Sequence, residues 1–327
     1  MPSCENLTYV HQDGRVVVST LLFTTGLIGN IIALVILGKH RQHSRHQVSA
    51  FYVLVTGLVL TDLFGKCLIS PMVFASYASN RTLTALAKNN TLCGYFSFSM
   101  SFFGLASMFI LFAMALECWL SISHPFFYQQ QFTKRRVVLI FPAVYSCSLL
   151  VCSMPLMGFG KIKQYCPGTW CFLDMAHEGG TLPFSVLYAT LMVILVFAVM
   201  LCNGSVAFSL ARMYRRQRRM SNVNLSGGTH TRSRFTHSTE VEHLILLILM
   251  SIIFLICSLP LTIRAYIGAL SPDNRDNEDL KALRLASVNS IVDPWVFIIF
   301  RTSVFRKIIS MCCKMLCSNI EPGILAC

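Results

Sequence analysis

The sequence predicts an all-α membrane protein: a seven-transmembrane helix bundle followed by a short cytosolic amphipathic helix. Three observations carry that expectation. Hydrophobic residues make up 54% and charged residues 13% of the 327 positions, against roughly a quarter charged in a soluble domain. Mean hydropathy is +0.61. The apolar residues gather into seven runs, each long enough for the roughly 20 residues that a helix needs to cross a hydrocarbon core.

The runs lie near 16–38, 48–78, 91–123, 137–159, 182–211, 241–270 and 280–300. A further apolar segment, VFRKIISMCCKML at 304–316, is too short to cross and reads as an amphipathic helix on the membrane surface. The chain thus divides into an N-terminal arm (1–15), a seven-transmembrane domain (16–301) and a surface helix with a short tail (302–327). The opening MPSCENLTYVHQDGR lacks the charged start and apolar stretch of a cleavable signal, so the first run is expected to remain as a signal anchor.

Basic residues set the orientation. Lys39, Arg41 and Arg45, then Lys134 to Arg136, then the cluster from Arg212 to Arg234, then Arg306, Lys307 and Lys314 all fall on one side. The side rich in Lys and Arg is the cytosolic one. A multi-pass plasma-membrane protein with an extracellular N-terminus is expected. The sequons at Asn6, Asn80 and Asn89 fall on the outer side and are the expected glycosylation positions. The formal net charge of +13 is explained by these loops, which meet anionic membrane lipids; no nucleic-acid partner is expected.

Most of the fourteen cysteines sit in apolar runs as small buried hydrophobes. Cys4, Cys93, Cys166 and Cys171 lie in outer loops or at helix mouths, where disulfides persist. Bonds from Cys93 to Cys171 and from Cys4 to Cys166 would tie the second outer loop to the third span and to the N-terminal arm. Four cysteines permit three pairings, and the sequence does not choose among them. Cys312, Cys313 and Cys317, beside the surface helix, are palmitoylation candidates. No metal-spaced His/Cys set and no nucleophile–base constellation stands out, so neither an enzyme nor a bound cofactor or metal is expected.

Charge inside a bilayer costs a few kcal/mol or more and is usually functional. Asp62 lies deep in the second span, with Lys66 one turn on along the same face. Glu117 ends the third span, Asp293 precedes Pro294 in the seventh, and Arg284 stands near that span's start. Lys66 has two uses open to it: an ion pair with Asp62, or a contact with a ligand oxygen. Arg284 also has two. It can snorkel to lipid headgroups, or face inward and hold a carboxylate in its planar fork. The second use would select a ligand with one anionic head and a long apolar body. An organic-anion transporter could use such an arginine too, but it predicts repeated halves with broken spans, and no internal repeat is visible.

Several motifs together resemble the rhodopsin-like G-protein-coupled receptors: Gly29-Asn30, LVLTD (58–62), Glu117-Cys118-Trp119, Pro260 in CSLP, and Asp293-Pro294. More narrowly, QYCPGTWCF (164–172), MSFFGLAS (100–107), HPFFY (124–128) and LRLASVNSIVDPW (283–295) resemble prostanoid receptors. Within that family the likeness is to the Gs-coupled group. Lys66 and Cys118 resemble the prostaglandin D2 branch, LCNGSVAFSLARMYR and LPLTIR the prostacyclin branch, and TLTALA the E2 branch.

The resemblance implies that Arg284 anchors a prostanoid carboxylate, that Tyr77 and Thr169 add hydrogen bonds to it, and that Lys66 meets a ring or chain oxygen. Met100, Phe103, Leu285 and Ser287 are expected as wall residues. Tyr77 is eleven residues beyond Lys66, close to three full turns, and so lies on the same face. Activation is expected to involve Asp62, Asp293, Pro260, Glu117 and Cys118, with heterotrimeric Gs as partner and cyclic AMP as output. The sequence departs from the usual pattern at Cys118, where arginine is common, and at Ser258, Asp293 and Phe297. Without an arginine beside Glu117 the usual inner salt bridge cannot form.

Overall fold

The computed structural model describes residues 7–10, 16–43, 50–131, 134–175, 184–221, 231–270 and 276–301. Among them are seven helices long and apolar enough to cross a membrane: Val16–His40, Ala50–Ser79, Lys88–Ser123, Arg136–Met157, Phe184–Met213, Ile245–Leu270 and Asn277–Ile299. Each falls on an expected run. The surface helix at 304–316, Cys312, Cys313, Cys317, Cys4 and Asn6 lie outside the described residues.

The helices are α1 (Val16–His43), α2 (Ala50–Ser79), the single turn α3 (Leu83–Leu86), α4 (Thr91–Ser123), α5 (Pro125–Gln131), α6 (Lys134–Ser153), α7 (Phe184–Ser221), α8 (Thr231–Leu270), α9 (Asp276–Ala286) and α10 (Asn289–Arg301). Helix α4 stands in the middle, against α2, α6, α7 and α8. The most apolar stretch of α4 is 61% buried, against 22% for the outlying fourth span. Apolar side chains face outward all round the bundle: Leu21, Phe64, Leu139, Leu150, Phe197 and Ile256 are all exposed. The interior holds Asn30, Asp62, Ser107, Asn203, Ser251, Asn289 and Asp293, all buried. A water-soluble bundle would reverse this arrangement; a bilayer tolerates polar side chains only where they face the bundle interior.

Close helix approach depends on small residues. A Cβ built on Gly57 of α2 would lie 2.0 Å from the Phe141 ring of α6, so the ring packs onto bare backbone. Prolines sit inside α2 (Pro71), α6 (Pro142), α8 (Pro260) and α10 (Pro294). Each removes one backbone donor and favours a bend.

The expected seven-helix bundle is present, and two features add to it. Strands β1 (Ile162–Tyr165) and β2 (Trp170–Leu173) form a short antiparallel hairpin between α6 and α7, with Ile162 opposite Leu173 and Tyr165 opposite Trp170. The chain reverses at Gly168, whose φ is +100°, a conformation that suits glycine. Nearly every hairpin residue is buried. The Gly168 carbonyl accepts from Leu83 N–H at 2.9 Å, and Gln164 Oε1 accepts from Thr84 Oγ1 at 2.8 Å, so the hairpin is seated on the α2–α4 connection. The Cys93–Cys171 disulfide, Cα–Cα 5.4 Å, fixes β2 to the first turn of α4. Cys166 is disulfide-bonded as well; Cys4, its expected partner, lies outside the described residues.

The second feature lies in the seventh span. It is two helices, α9 and α10, separated by a turn at Ser287–Val288. The expected single run from 280 to 300 contains no glycine at that point and no proline before Pro294, so nothing local marks the interruption.

Candidate functional site

Beneath the hairpin the helices enclose a cavity with about 1340 Å³ of empty space, its open mouth included. The walls are mainly apolar. Helix α1 gives Leu22 and Phe23, α2 gives Ile69, Val73 and Phe74, α4 gives Phe96, Met100 and Phe103, and α8 gives Phe254 and Leu261. Trp170, Phe172 and Met175 from the hairpin and the residues after it close it over. Phe96 and Trp170 meet edge to face, centroids 5.8 Å apart, so the lid continues the aromatic packing of the wall. A pocket with such walls and a few placed polar groups is typical of small-molecule sites.

The polar groups lie in tiers. Asp62, Lys66, Ser107, Ser258, Ser287, Asn289 and Ser290 line the cavity floor and its seventh-span side. Asp62 Oδ1 accepts from Ser107 at 2.8 Å. Asn289 Nδ2 donates to Ser258 Oγ at 3.1 Å, joining α10 to α8. Asn30 Nδ2 donates to the Ser290 carbonyl at 3.1 Å, joining α1 to α10. Asp62 and Lys66 share a face, as their spacing required, but form no direct ion pair. The Lys66 ammonium instead donates to the Ser287 main-chain carbonyl at 3.1 Å.

Of the expected binding residues, Lys66, Met100, Phe103 and Ser287 line the cavity. Arg284, Leu285, Tyr77 and Thr169 do not; they stand next to residues that do. Tyr77 is one turn beyond Val73 on α2, Arg284 is three residues before Ser287, and Thr169 adjoins Trp170. Helix α9 packs against β1, and the hairpin is held at Leu83, just past the end of α2. Tyr77 and Thr169 therefore lie toward the hairpin end of the bundle, and Arg284 and Leu285 lie on α9, which packs against the hairpin. The Tyr77 hydroxyl and Thr169 Oγ1 are buried with no hydrogen-bond partner, and among the described residues no hydrogen bond or ion pair engages the Arg284 guanidinium. Arg284 is half-buried.

At the opposite end of the bundle Glu117 and Cys118 are buried. With cysteine in place of the common arginine, Glu117 Oε1 accepts a hydrogen bond from the Tyr128 hydroxyl at 2.6 Å. Burial first, and then the Glu117 charge, push the Tyr128 phenol above the usual tyrosine range. Tyr128 belongs to α5, which opens with Pro125 at its first position, where the missing N–H costs nothing. His124 ends α4 and stacks edge-on to Trp119, centroids 5.2 Å apart. Sequence reasoning did not find the Tyr128 contact, because a loop residue meeting a span leaves no periodic signal. It also missed Arg264, which donates through Nε to Asp279 Oδ1 at 2.5 Å, both largely buried, and so joins α8 to α9.

Comparison with known proteins decides the family. The model of the seven-transmembrane receptors of the rhodopsin family matches residues 29–297. The prostaglandin D2 receptor of Mus musculus is 50% identical over 324 residues, covering 93% of this chain and 91% of that one. The chain is a prostanoid receptor of the rhodopsin family. The prostacyclin receptor of Rattus norvegicus is 48% identical over 324 residues, 98% of this chain and 75% of that one. The prostaglandin E2 receptor EP2 subtype of the same species is 46% identical over 327 residues, 95% and 90%. Squid rhodopsin shares the fold, with a TM-score of 0.73 at 16% identity over 90% of this chain and 78% of that one. As a prostanoid receptor the chain is a multi-pass membrane protein and not an enzyme, and its family implies a lipid ligand and a G-protein partner.

Proposed function

We propose that this prostanoid receptor responds to prostaglandin D2 and couples to Gs, raising cyclic AMP. The ligand lies in the cavity under the hairpin with its carboxylate toward Arg284, Tyr77 and Thr169. One observation carries the site: the Tyr77 and Thr169 hydroxyls are buried without partners, and among the described residues no hydrogen bond or ion pair engages the half-buried Arg284 guanidinium. A carboxylate can take up all three donors, and a guanidinium holds it bidentately. Burial of the ligand's apolar arms supplies most of the attraction, at about 25 cal/mol per Å²; the charged head fixes direction. Lys66, Met100, Phe103 and Ser287 contact the arms and ring, and Leu285 packs behind them. The cavity reaches α1 beside the seventh span, which supports entry of a lipid from the bilayer.

The hairpin end is extracellular in this reading, with the N-terminus outside, Asn6, Asn80 and Asn89 glycosylated, and Cys4 bonded to Cys166. Exposure of Asn80 and Asn89 supports the glycan assignment. Cys312, Cys313 and Cys317 are acylated beside the surface helix at 304–316. Gs enters at the opposite end, beside Glu117, Cys118 and α5, when α8 swings about Pro260, with Asp62 and Asp293 between the two ends. Sequence identity does not separate the D2, prostacyclin and E2 branches; Lys66 and Cys118 favour D2.

A cyclic AMP assay in cells expressing the receptor, with prostaglandin D2, a prostacyclin analogue and prostaglandin E2, tests the choice. D2 should act at the lowest concentration, and a prostacyclin analogue acting lower would overturn it. Arg284→Ala should abolish high-affinity binding with surface expression retained. Lys66→Thr should weaken D2 more than prostacyclin.

A further inference from the structure

The interruption of the seventh span leaves a carbonyl to be satisfied. Ser287 N–H reaches the Leu283 carbonyl at 3.0 Å and Val288 N–H the Leu285 carbonyl at 3.0 Å. Beyond them, Ile291 and Val292 N–H both turn to the Val288 carbonyl, at 2.9 and 3.0 Å. An unbroken helix would send Ile291 N–H to the Ser287 carbonyl. Here no backbone donor among the described residues reaches it. Two side chains do: the Ser290 hydroxyl at 3.2 Å and the Lys66 ammonium of α2 at 3.1 Å. A buried carbonyl left unpaired is costly, so Lys66 helps hold the break open as a defined turn. An ammonium carries three donors, and one has an acceptor among the described residues. Lys66 and Ser287 both line the cavity.

We infer that Lys66 is a positioning residue that ties a ligand oxygen to the broken turn of the seventh span. One N–H holds the Ser287 carbonyl, and the other two face a ring or chain oxygen of the bound lipid. The ligand half of this inference rests on the cavity reading given above; the Lys66–Ser287 half stands on the geometry alone. A ligand oxygen takes up the spare donors without displacing the existing bond. It thereby fixes the ammonium and, through it, the carbonyl. The first two residues of α10, just past the turn, carry the Asn30–Ser290 contact to the first span and the Asn289–Ser258 contact to the sixth. Ser258 is two residues from Pro260, so occupancy of the cavity is felt at the sixth-span bend.

Hydrogen–deuterium exchange on the purified full-length receptor in phospholipid nanodiscs tests this, read on peptides covering 283–295. Lys66→Met keeps an apolar stem and removes the donors. Lys66→Arg keeps donors. Without ligand, Lys66→Met should exchange about fivefold faster across 287–292, the worth of one net hydrogen bond, with Lys66→Arg nearer wild type. Saturating prostaglandin D2 should slow exchange in the wild type and not in Lys66→Met, which should bind it about tenfold more weakly. Equal exchange in wild type and Lys66→Met without ligand would overturn the tie. Equal protection by ligand in both would overturn the link to the ligand. If prostaglandin D2 does not bind the wild type, the ligand half fails with the cavity reading, and the ligand-free comparison still decides the tie.

Discussion

Replacing Tyr77 by phenylalanine separates the two roles open to its hydroxyl. In the ligand-free receptor that hydroxyl is buried without a partner, a condition that costs about 1–3 kcal/mol. Tyr77→Phe removes the unpaired group and keeps the ring. It should leave thermal stability unchanged or raise it, by up to about 2–4 °C for each kcal/mol recovered. With an acidic ligand bound, the same hydroxyl donates to a carboxylate, a bond worth roughly 1.5–3 kcal/mol. At about 1.4 kcal/mol per decade, affinity should fall roughly tenfold to a hundredfold. Thr169→Val, at the other unpartnered hydroxyl, should move both quantities the same way. The assay is competition binding beside a thermal-shift measurement on the same preparation, with the ligand's methyl ester as control. The ester has no charged head and should bind wild type and variant within a few-fold of each other. A variant that loses several degrees while keeping its affinity would show that the hydroxyl is structural, and the carboxylate reading would be wrong.

Arg264→Met leaves Asp279 buried without its guanidinium partner and should cost about 3–5 kcal/mol by thermal denaturation, whereas Arg264→Met with Asp279→Leu should recover most of that loss. Gly57→Ala would bring a methyl 2.0 Å from the Phe141 ring and should destabilise by about 1–3 kcal/mol through overpacking; adding Phe141→Leu should restore the melting temperature. Tyr128→Phe removes the donor to Glu117 and should change ligand-independent G-protein activation with agonist affinity nearly unchanged, read by nucleotide exchange in reconstituted membranes. Because burial and then the Glu117 charge raise the Tyr128 pKa, the neutral donor form is the one the fold favours. Its contribution is fully present below the ordinary tyrosine value of about 10 and is lost only as pH climbs through the raised one. Basal activation should therefore show no pH step from this contact between about pH 6 and 9, and a step in that range that Tyr128→Phe removes would contradict the assignment.

The third span was legible to the residue: the run at 91–123 is helix α4, Thr91–Ser123, because a mostly apolar run of 33 residues admits one solution in a bilayer. The hairpin was half legible. QYCPGTWCF holds a Pro-Gly turn between Tyr, Trp and Phe, the composition of a tight strand pair, yet its length and rarity drew attention only as a family motif. The break at Ser287 was not legible at all. The side chains that meet it and the residues just past it, Lys66 at Ser287, Asn30 at Ser290 and Ser258 at Asn289, approach from three other helices, and no local rule sees them. Helical periodicity placed Asp62 and Lys66 on one face correctly, but periodicity ranks neighbours and not partners. A main-chain carbonyl left over by the break outcompeted the carboxylate one turn away. Tyr77 and Arg284 show the same limit from the other side: neither lines the cavity itself, whereas Val73 and Ser287, close to them in sequence, do.

These partnerships bear on how binding reaches the far end of the bundle. The Lys66–Ser287, Asn30–Ser290 and Asn289–Ser258 bonds all converge on residues 287–290, four consecutive positions that make up the turn and the start of α10. In a uniform helix the Ser287 carbonyl would be satisfied within the span, whereas the Ser290 carbonyl lacks an intrahelical donor because Pro294, four residues on, has no N–H. Here, moving α1, α2 or α8 relative to the turn must break a hydrogen bond or carry the turn along. A ligand with equal affinity for two arrangements shifts neither, so discrimination requires a place where the arrangements differ chemically as well as in shape. The broken turn supplies it: its Ser287 carbonyl takes donors from Lys66 of α2 and from Ser290, and a lipid oxygen beside Lys66 changes that arrangement directly. The consequence is testable by removing the other side-chain donor to the Ser287 carbonyl. Ser290→Ala removes the hydroxyl that also caps the Ser287 carbonyl and leaves Lys66 as its remaining side-chain partner. It should make exchange across 287–292 more dependent on bound ligand than in the wild type, and a smaller ligand dependence would mean that Ser290, and not Lys66, governs the turn.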